Sequence, residues 1–213
     1  MRHFIVFILT CVMAGAVAPV DLFNGRDLAG WELVANPATD ISLACQVIDG
    51  GVLAVTGRPV GYLLAAGSHA NYRLHLEYRW PADAARNSNS GVLVHIASGP
   101  IDRNLWPVSY QIQMKIDRAG DLLPMAGAKI AEALSSAPEA VTPQLDHVGL
   151  VSEKALGGWN SVDVVCRGGT IQVSINGVFQ NKITHCTQRT GRIGIQLEGF
   201  PFELRNLRLT PLD

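Results

Sequence analysis

Charge is scarce in this sequence. Asp, Glu, Lys and Arg make up 16% of its 213 residues, against about 25% in an average globular domain. With 48% hydrophobic residues, that scarcity excludes disorder, which needs low hydrophobicity and high charge. A surplus of either sign is also missing. Seventeen Lys and Arg face eighteen Asp and Glu, which argues against nucleic acid, whose binders carry a basic excess. Cysteine is sparse and forms no CxxC pair, so zinc-ribbon and thioredoxin-type sites are absent. None of the scattered His69, His147 and His185 has another His at ligand spacing. There is no GxSxG, HExxH, phosphate-binding Gly loop or EF-hand pattern, which removes most common hydrolase and nucleotide-binding readings. Few charges and many neutral polar groups suit an uncharged, hydroxylated ligand.

Long apolar runs are missing after the amino terminus. Residues 1–18 read as a secretory signal peptide: Arg2, an apolar stretch from Phe4 to Met13, then Ala14-Gly15-Ala16 or Ala16-Val17-Ala18 for cleavage. Thr10 stands where a lipid-anchor signal has a small residue, so Cys11 is not expected to carry a lipid. A periplasmic or secreted chain over 19–213 follows, without a membrane span. It keeps Cys45, Cys166 and Cys186, an odd number that leaves at least one thiol free. Cys166 reads as a small buried residue, with a cross-strand pair to Cys186 as the alternative.

What is plentiful is punctuation: 21 Gly and 11 Pro. They bound short alternating segments, read as strands over 31–35, 45–48, 52–56, 62–66, 72–80, 91–97, 109–116, 161–167, 170–175, 178–183, 192–198 and 202–210. Asn176-Gly177 predicts a type I′ hairpin, because that turn needs positive φ at both positions. The Ala-rich stretch 126–140 reads as a long loop with at most one or two helical turns. One all-β, two-sheet antiparallel sandwich is expected.

Alternation also assigns faces. Tyr72, Leu74, Leu76, Tyr78 and Trp80 share one side of their strand, opposite Arg73, His75, Glu77 and Arg79. Tyr110, Ile112, Met114 and Ile116 oppose Gln111, Gln113, Lys115 and Asp117. Ile193, Ile195 and Leu197 oppose Gln196 and Glu198, and His95 falls on the parity opposite Val92 and Val94. A merely solvated sheet face is the common alternative. Amides, paired charges and an imidazole are instead the groups that bind hydroxyls and move protons, so a groove is expected if the sheet curves. Trp159 at a strand mouth is placed to stack on a sugar or to close the core edge.

The segment Asp21-Leu22-Phe23-Asn24-Gly25-Arg26-Asp27-Leu28-Ala29-Gly30-Trp31 resembles the opening signature of the 3-keto-disaccharide hydrolase domain family. Further pieces follow in that family's order: Leu76-Glu77-Tyr78-Arg79, Asn89-Ser90-Gly91-Val92, Gln111-Ile112-Gln113, Trp159-Asn160, Gly191 to Gln196, and Arg205-Asn206-Leu207. The resemblance implies a concanavalin A-like jelly roll and glycosidic cleavage of 3-keto sugars, by hydrolysis or by elimination and hydration. A C3 ketone acidifies the C2 proton, so a base can remove it as the C1 substituent leaves. That chemistry needs a base, an acid and a group that stabilises the enolate.

The polar faces offer Glu77 as base and His95 or Lys115 as acid or stabiliser. Arg79, Asn89, Gln111, Gln113, Trp159, Asn160, Gln196 and Glu198 would bind substrate. A divalent metal held by carboxylate, imidazole and amide oxygen is an open alternative to the cation. Two positions depart from the family: Gln111 stands in an acidic slot and His95 where Arg is common, and the stretch 120–158 also differs. A non-catalytic carbohydrate-binding module of the same fold is the competing reading, and an interaction domain a third.

Overall fold

The structure, a computed structural model, describes residues 18–137 and 139–213. The expected signal peptide and Cys11 lie outside the described residues, except for Ala18. Among the described residues the strands are β1 (Val20–Asp21), β2 (Trp31–Ala35), β3 (Cys45–Ile48), β4 (Val52–Val55), β5 (Gly61–Ala65), β6 (Tyr72–Arg79), β7 (Gly91–Asp102), β8 (Trp106–Gln113), β9 (Leu122–Met125), β10 (Asn160–Arg167), β11 (Thr170–Ile175), β12 (Val178–Ile183), β13 (Arg192–Leu197) and β14 (Phe202–Pro211). They build two antiparallel sheets. One runs β12-β11-β10-β6-β14-β4-β3 with β1 on β14, and the other runs β2-β5-β13-β7-β8-β9. No described helix is long and apolar enough to cross a membrane.

The core lies between the sheets and follows the alternation. Tyr72, Leu74, Leu76 and Tyr78 of β6 meet Val92 and Val94 of β7, Tyr110 and Ile112 of β8, and Ile193, Ile195 and Leu197 of β13, all fully buried. The β11–β12 turn is the one the sequence predicts, with Asn176 at φ 51° and Gly177 at φ 78°. The stretch 126–140 is turns and bends among its described residues, so the loop reading stands. Two strands escape the sequence reading. β1 has two residues, and β9 is the apolar Leu-Leu-Pro-Met, which shows no alternation and contains a proline.

Cys45, Cys166 and Cys186 are free and buried. Burial pushes their thiols up to about 11, 12 and 11 respectively, which leaves them protonated and inert. The Asp21–Trp31 motif is structural: Asn24 Oδ1 accepts from the N–H groups of Arg26 and Asp27, and Trp31 Nε1 donates to the Leu22 carbonyl at 2.8 Å. It turns the chain tightly between β1, which pairs with β14, and β2, which pairs with β5.

One carboxyl outside the groove described below makes stability depend on pH. Glu153 accepts from the Tyr78 hydroxyl at 3.3 Å. Burial pushes its pKa from 4.5 up to about 7, against the pull of the Ala119 and Asp117 backbone and of Tyr78. Between those two values the folded chain keeps a proton that the unfolded chain has released. Stability therefore falls as pH rises through that window, and the loss is complete above it. Glu153→Gln should remove this slope, gaining about 1–2 kcal/mol near pH 8 and almost nothing near pH 4. Urea unfolding of both proteins across that range measures the difference.

Candidate active site

The residues expected to form one groove occupy three places. Glu77 and Arg79 point outward from β6, on the eight-stranded sheet. Glu77 accepts from Arg205 at 2.5 Å and from Asn206 at 3.0 Å, and Arg79 pairs with Glu203. The Trp159 ring lies under both guanidinium groups, 4.7 Å from that of Arg79 and 4.0 Å from that of Arg205. Burial works to raise the Glu77 pKa, but the Arg205 and Asn206 contacts outweigh it and hold the carboxyl below its ordinary value. A carboxylate committed to an arginine in this way is a poor base. These family motifs thus meet on adjacent strands as a surface ion-pair and stacking cluster. Asn160 is buried, accepting from the Lys154 N–H and the Asn176 amide at 2.8 Å, and so pins a loop.

His95 also departs from expectation. A bulge in β7 puts it at φ 52°, and the extra residue reverses the parity that alternation assigns. His95 turns into the sandwich, packs edge-on against Tyr72 at 5.6 Å, and places Nε2 3.1 Å from the Ala70 carbonyl. Burial lowers its pKa. It is a core histidine, and its neighbour Ile96 takes the outward position.

The remaining candidates do converge. Asn89, Gln111, Gln113, Lys115, Gln196 and Glu198 line one groove of about 410 Å³ on the outer face of the six-stranded sheet. Register explains the gathering: Gln111 of β8 lies opposite Leu93 of β7, Gln113 opposite Gly91, and Gln196 of β13 opposite Tyr62 of β5. Gln111 donates to Gln113 at 2.8 Å. An apolar cluster packs beside these polar groups, with Tyr62 stacked on Trp106 at 6.4 Å and Leu93, Leu123 and Met125 around them, and of these Trp106, Leu123 and Met125 reach the groove.

Glu198 is the carboxylate of the groove. Gln196 donates to its Oε1 at 2.8 Å and Asn89 to its Oε2. Burial raises its pKa, against the pull of the Asn89 amide and of the charges on Arg103 and Lys115. Both amides spend N–H groups on Glu198, and each leaves its own oxygen buried without a partner. Lys115, Arg103 and Arg118 supply positive charge to the same groove. This arrangement can exchange a proton and stabilise an oxyanion. Among the described residues no three His, Cys, Asp or Glu side chains gather in a way that could hold a metal.

Sequence reading missed Arg103, Arg118 and Gln144, which come from turns and a long loop, and Trp106, the first residue of β8. Arg118 and Gln144 are anchored by Asp121, fully buried, which pairs with Arg118 at 3.7 Å and accepts from His147 N–H at 2.7 Å and from Gln144 at 2.8 Å. His147 Nδ1 lies 2.5 Å from the same carboxylate.

Gly91 makes room for the amide pair. A Cβ there would lie 2.8 Å from Gln111 Cγ and 2.9 Å from the Ile112 carbonyl oxygen. Gly91→Ala should displace Gln111, cost about 1–3 kcal/mol and weaken sugar binding roughly tenfold. Adding Gln111→Ala should recover the part of the stability lost to the side-chain clash, not the part lost to the Ile112 carbonyl contact, and not the binding. Thermal unfolding and calorimetric titration of the single and double variants check both halves.

Comparison with solved structures agrees with the architecture. A candidate glycosyl hydrolase of Parabacteroides distasonis ATCC 8503 superposes with TM-score 0.67 at 20% identity, covering 92% of this chain and 94% of its own. A Bacillus licheniformis beta-glucanase gives TM-score 0.58 at 9% identity, covering 94% and 100%. The carbohydrate-binding module CBM66 of Bacillus subtilis gives 0.57 at 9%, covering 85% and 95%. At these identities the likeness is one of fold, a jelly-roll sandwich shared by enzymes and binding modules. No curated protein matches the chain. The sequence model of one family matches residues 18–210, essentially the whole described sandwich, so the chain belongs to the 3-keto-alpha-glucoside-1,2-lyase-like domain family.

Proposed function

We propose that this chain cleaves 3-keto-glycosides by 1,2-elimination in the groove of the six-stranded sheet, with Glu198 as the proton-transfer group. The observation that carries this reading is one carboxyl, raised in pKa by burial, set beside two cations and two amide donors in a sugar-sized groove. Glu198 in its ionised form takes the C2 proton. The electron pair forms the C1–C2 double bond as the C1–O bond breaks, and the alkoxide leaves with a proton from water. Lys115 stabilises the negative charge that develops on the C3 oxygen, and Gln111 and Gln113 orient ring hydroxyls. Water adding to the enone would complete a net hydrolysis. Export by the amino-terminal signal would place the reaction outside the cytoplasm.

Incubation with a 3-keto-disaccharide, with and without a divalent metal, tests the reading. Release of the second sugar together with the absorbance of a conjugated enone is the expected result. Sugar binding without any release would overturn it in favour of a binding module, the reading that the fold shared with CBM66 keeps in play.

A further inference from the structure

A second cavity of about 350 Å³ opens off the groove and shares Arg103, Met125 and Thr142 with it. Its floor is Pro124 to Gly127 at the end of β9, one wall is Ile101 at the β7–β8 turn, and the other is Ala140 to Pro143 of the long loop. The chemistry changes across the shared residues. The groove carries Gln111, Gln113, Gln196, Glu198 and Lys115, whereas the polar side chains lining the cavity are Asp102, Arg103 and Thr142. Asp102 and Arg103 are already paired with each other at 3.1 Å. At its edges two apolar side chains stand in water, Ile101 at 56% and Val141 at 78% exposure.

We propose that this cavity is the aglycone subsite and that it takes an aromatic or branched apolar aglycone rather than a second sugar. The inference rests on the groove holding the sugar ring. A second sugar would bring several hydroxyls into a space with few free partners, and each hydroxyl buried unpaired is costly. An apolar ring loses nothing there, and it covers Ile101 and Val141 as well as its own surface. The position is also right for the reaction, because the leaving group must depart from the ring at one end of the proton-transfer site, and the cavity adjoins Arg103 there.

The test compares methyl and phenyl 3-keto-glucosides with a 3-keto-disaccharide. Affinities are read by calorimetry on the Glu198→Gln chain, where turnover is blocked, and kcat/KM on the unmodified chain. The phenyl glycoside should bind roughly tenfold or more tightly than the methyl one and tighter than the disaccharide. Ile101→Asp with Val141→Asp, both at exposed positions, should erase the phenyl advantage and leave the methyl affinity alone. Equal affinities, a tighter disaccharide, or a double variant that weakens methyl and phenyl alike would overturn the subsite. A tightly bound phenyl glycoside that the unmodified chain does not cleave would keep the subsite and remove the catalytic reading. If none of the three binds, both fall.

Discussion

Glu198→Gln should lower kcat on a 3-keto-glycoside by about 10³-fold, the range expected when a positioned general base is lost. The amide keeps the size of the carboxylate, so the fold should persist and sugar affinity should change little. The pH profile carries the stronger signature. A base works in its ionised form, and burial holds the Glu198 pKa above the ordinary 4.5. The rate of the unmodified chain should therefore fall on the acid side along a limb displaced above the usual carboxylate range, and that limb should vanish from the residual activity of the variant. Glu77→Gln is the contrasting experiment. Glu77 lies on the opposite sheet and is committed to Arg205 and Asn206. Its loss should leave kcat within about twofold and cost about 1 kcal/mol or less in stability, as partly exposed ion pairs do. A collapse of turnover in Glu77→Gln with Glu198→Gln active would move the base to the other face of the molecule.

Asp121→Ala should be among the most destabilising single substitutions in the chain. The carboxylate is wholly buried and receives the His147 backbone N–H and the Gln144 amide, with His147 Nδ1 and Arg118 beside it. Its removal takes the acceptor from the His147 backbone N–H and leaves Gln144 and Arg118 with Asp146 alone, a change that costs about 3–5 kcal/mol when one partner of a buried pair is deleted. For a domain of this size that is a fall of about 10 °C or more in Tm. The consequence reaches the groove, because Arg118 and Gln144 form its wall and Leu122 pairs with Leu145 next to them. Sugar affinity should fall along with stability. Asp121→Asn, which keeps one acceptor oxygen, should lie between the two. Thermal unfolding with parallel sugar titration separates the structural loss from the binding loss.

The fold was largely legible because the relevant interactions are local or periodic. Alternation in β6, β10 and β13 follows from the pleat, which sends successive side chains to opposite faces, and the core residues of those strands are the ones alternation marks. The Asn176-Gly177 turn follows from the φ values that only a few residues adopt readily. The groove residues Gln111, Gln113, Lys115, Gln196 and Glu198 were visible as a polar face for the same reason. The extent of β7 and β8 was less so. β7 runs on to Asp102 and β8 begins at Trp106, in a stretch where bulges break the period.

By itself, then, the sequence determined the sandwich, the buried side of each regular strand and the family. Only the tertiary structure decided which polar faces share a surface. Parity says which side of its own strand a residue takes, but not which sheet that strand joins. Glu77 and Gln111 are both outward, yet they leave the sandwich in opposite directions. Pairing between strands far apart in the chain is set by burial and hydrogen bonding across the whole domain, so no local window contains it. His95 needed the structure for another reason: one extra residue in a bulge reverses the alternation, and the surrounding residues do not announce it. The scarcity of charge acquires a location by the same route. Part of that charge is spent on the ion-pair cluster around Trp159, and another part is held with the amides in the groove, where burial raises the pKa of one carboxyl.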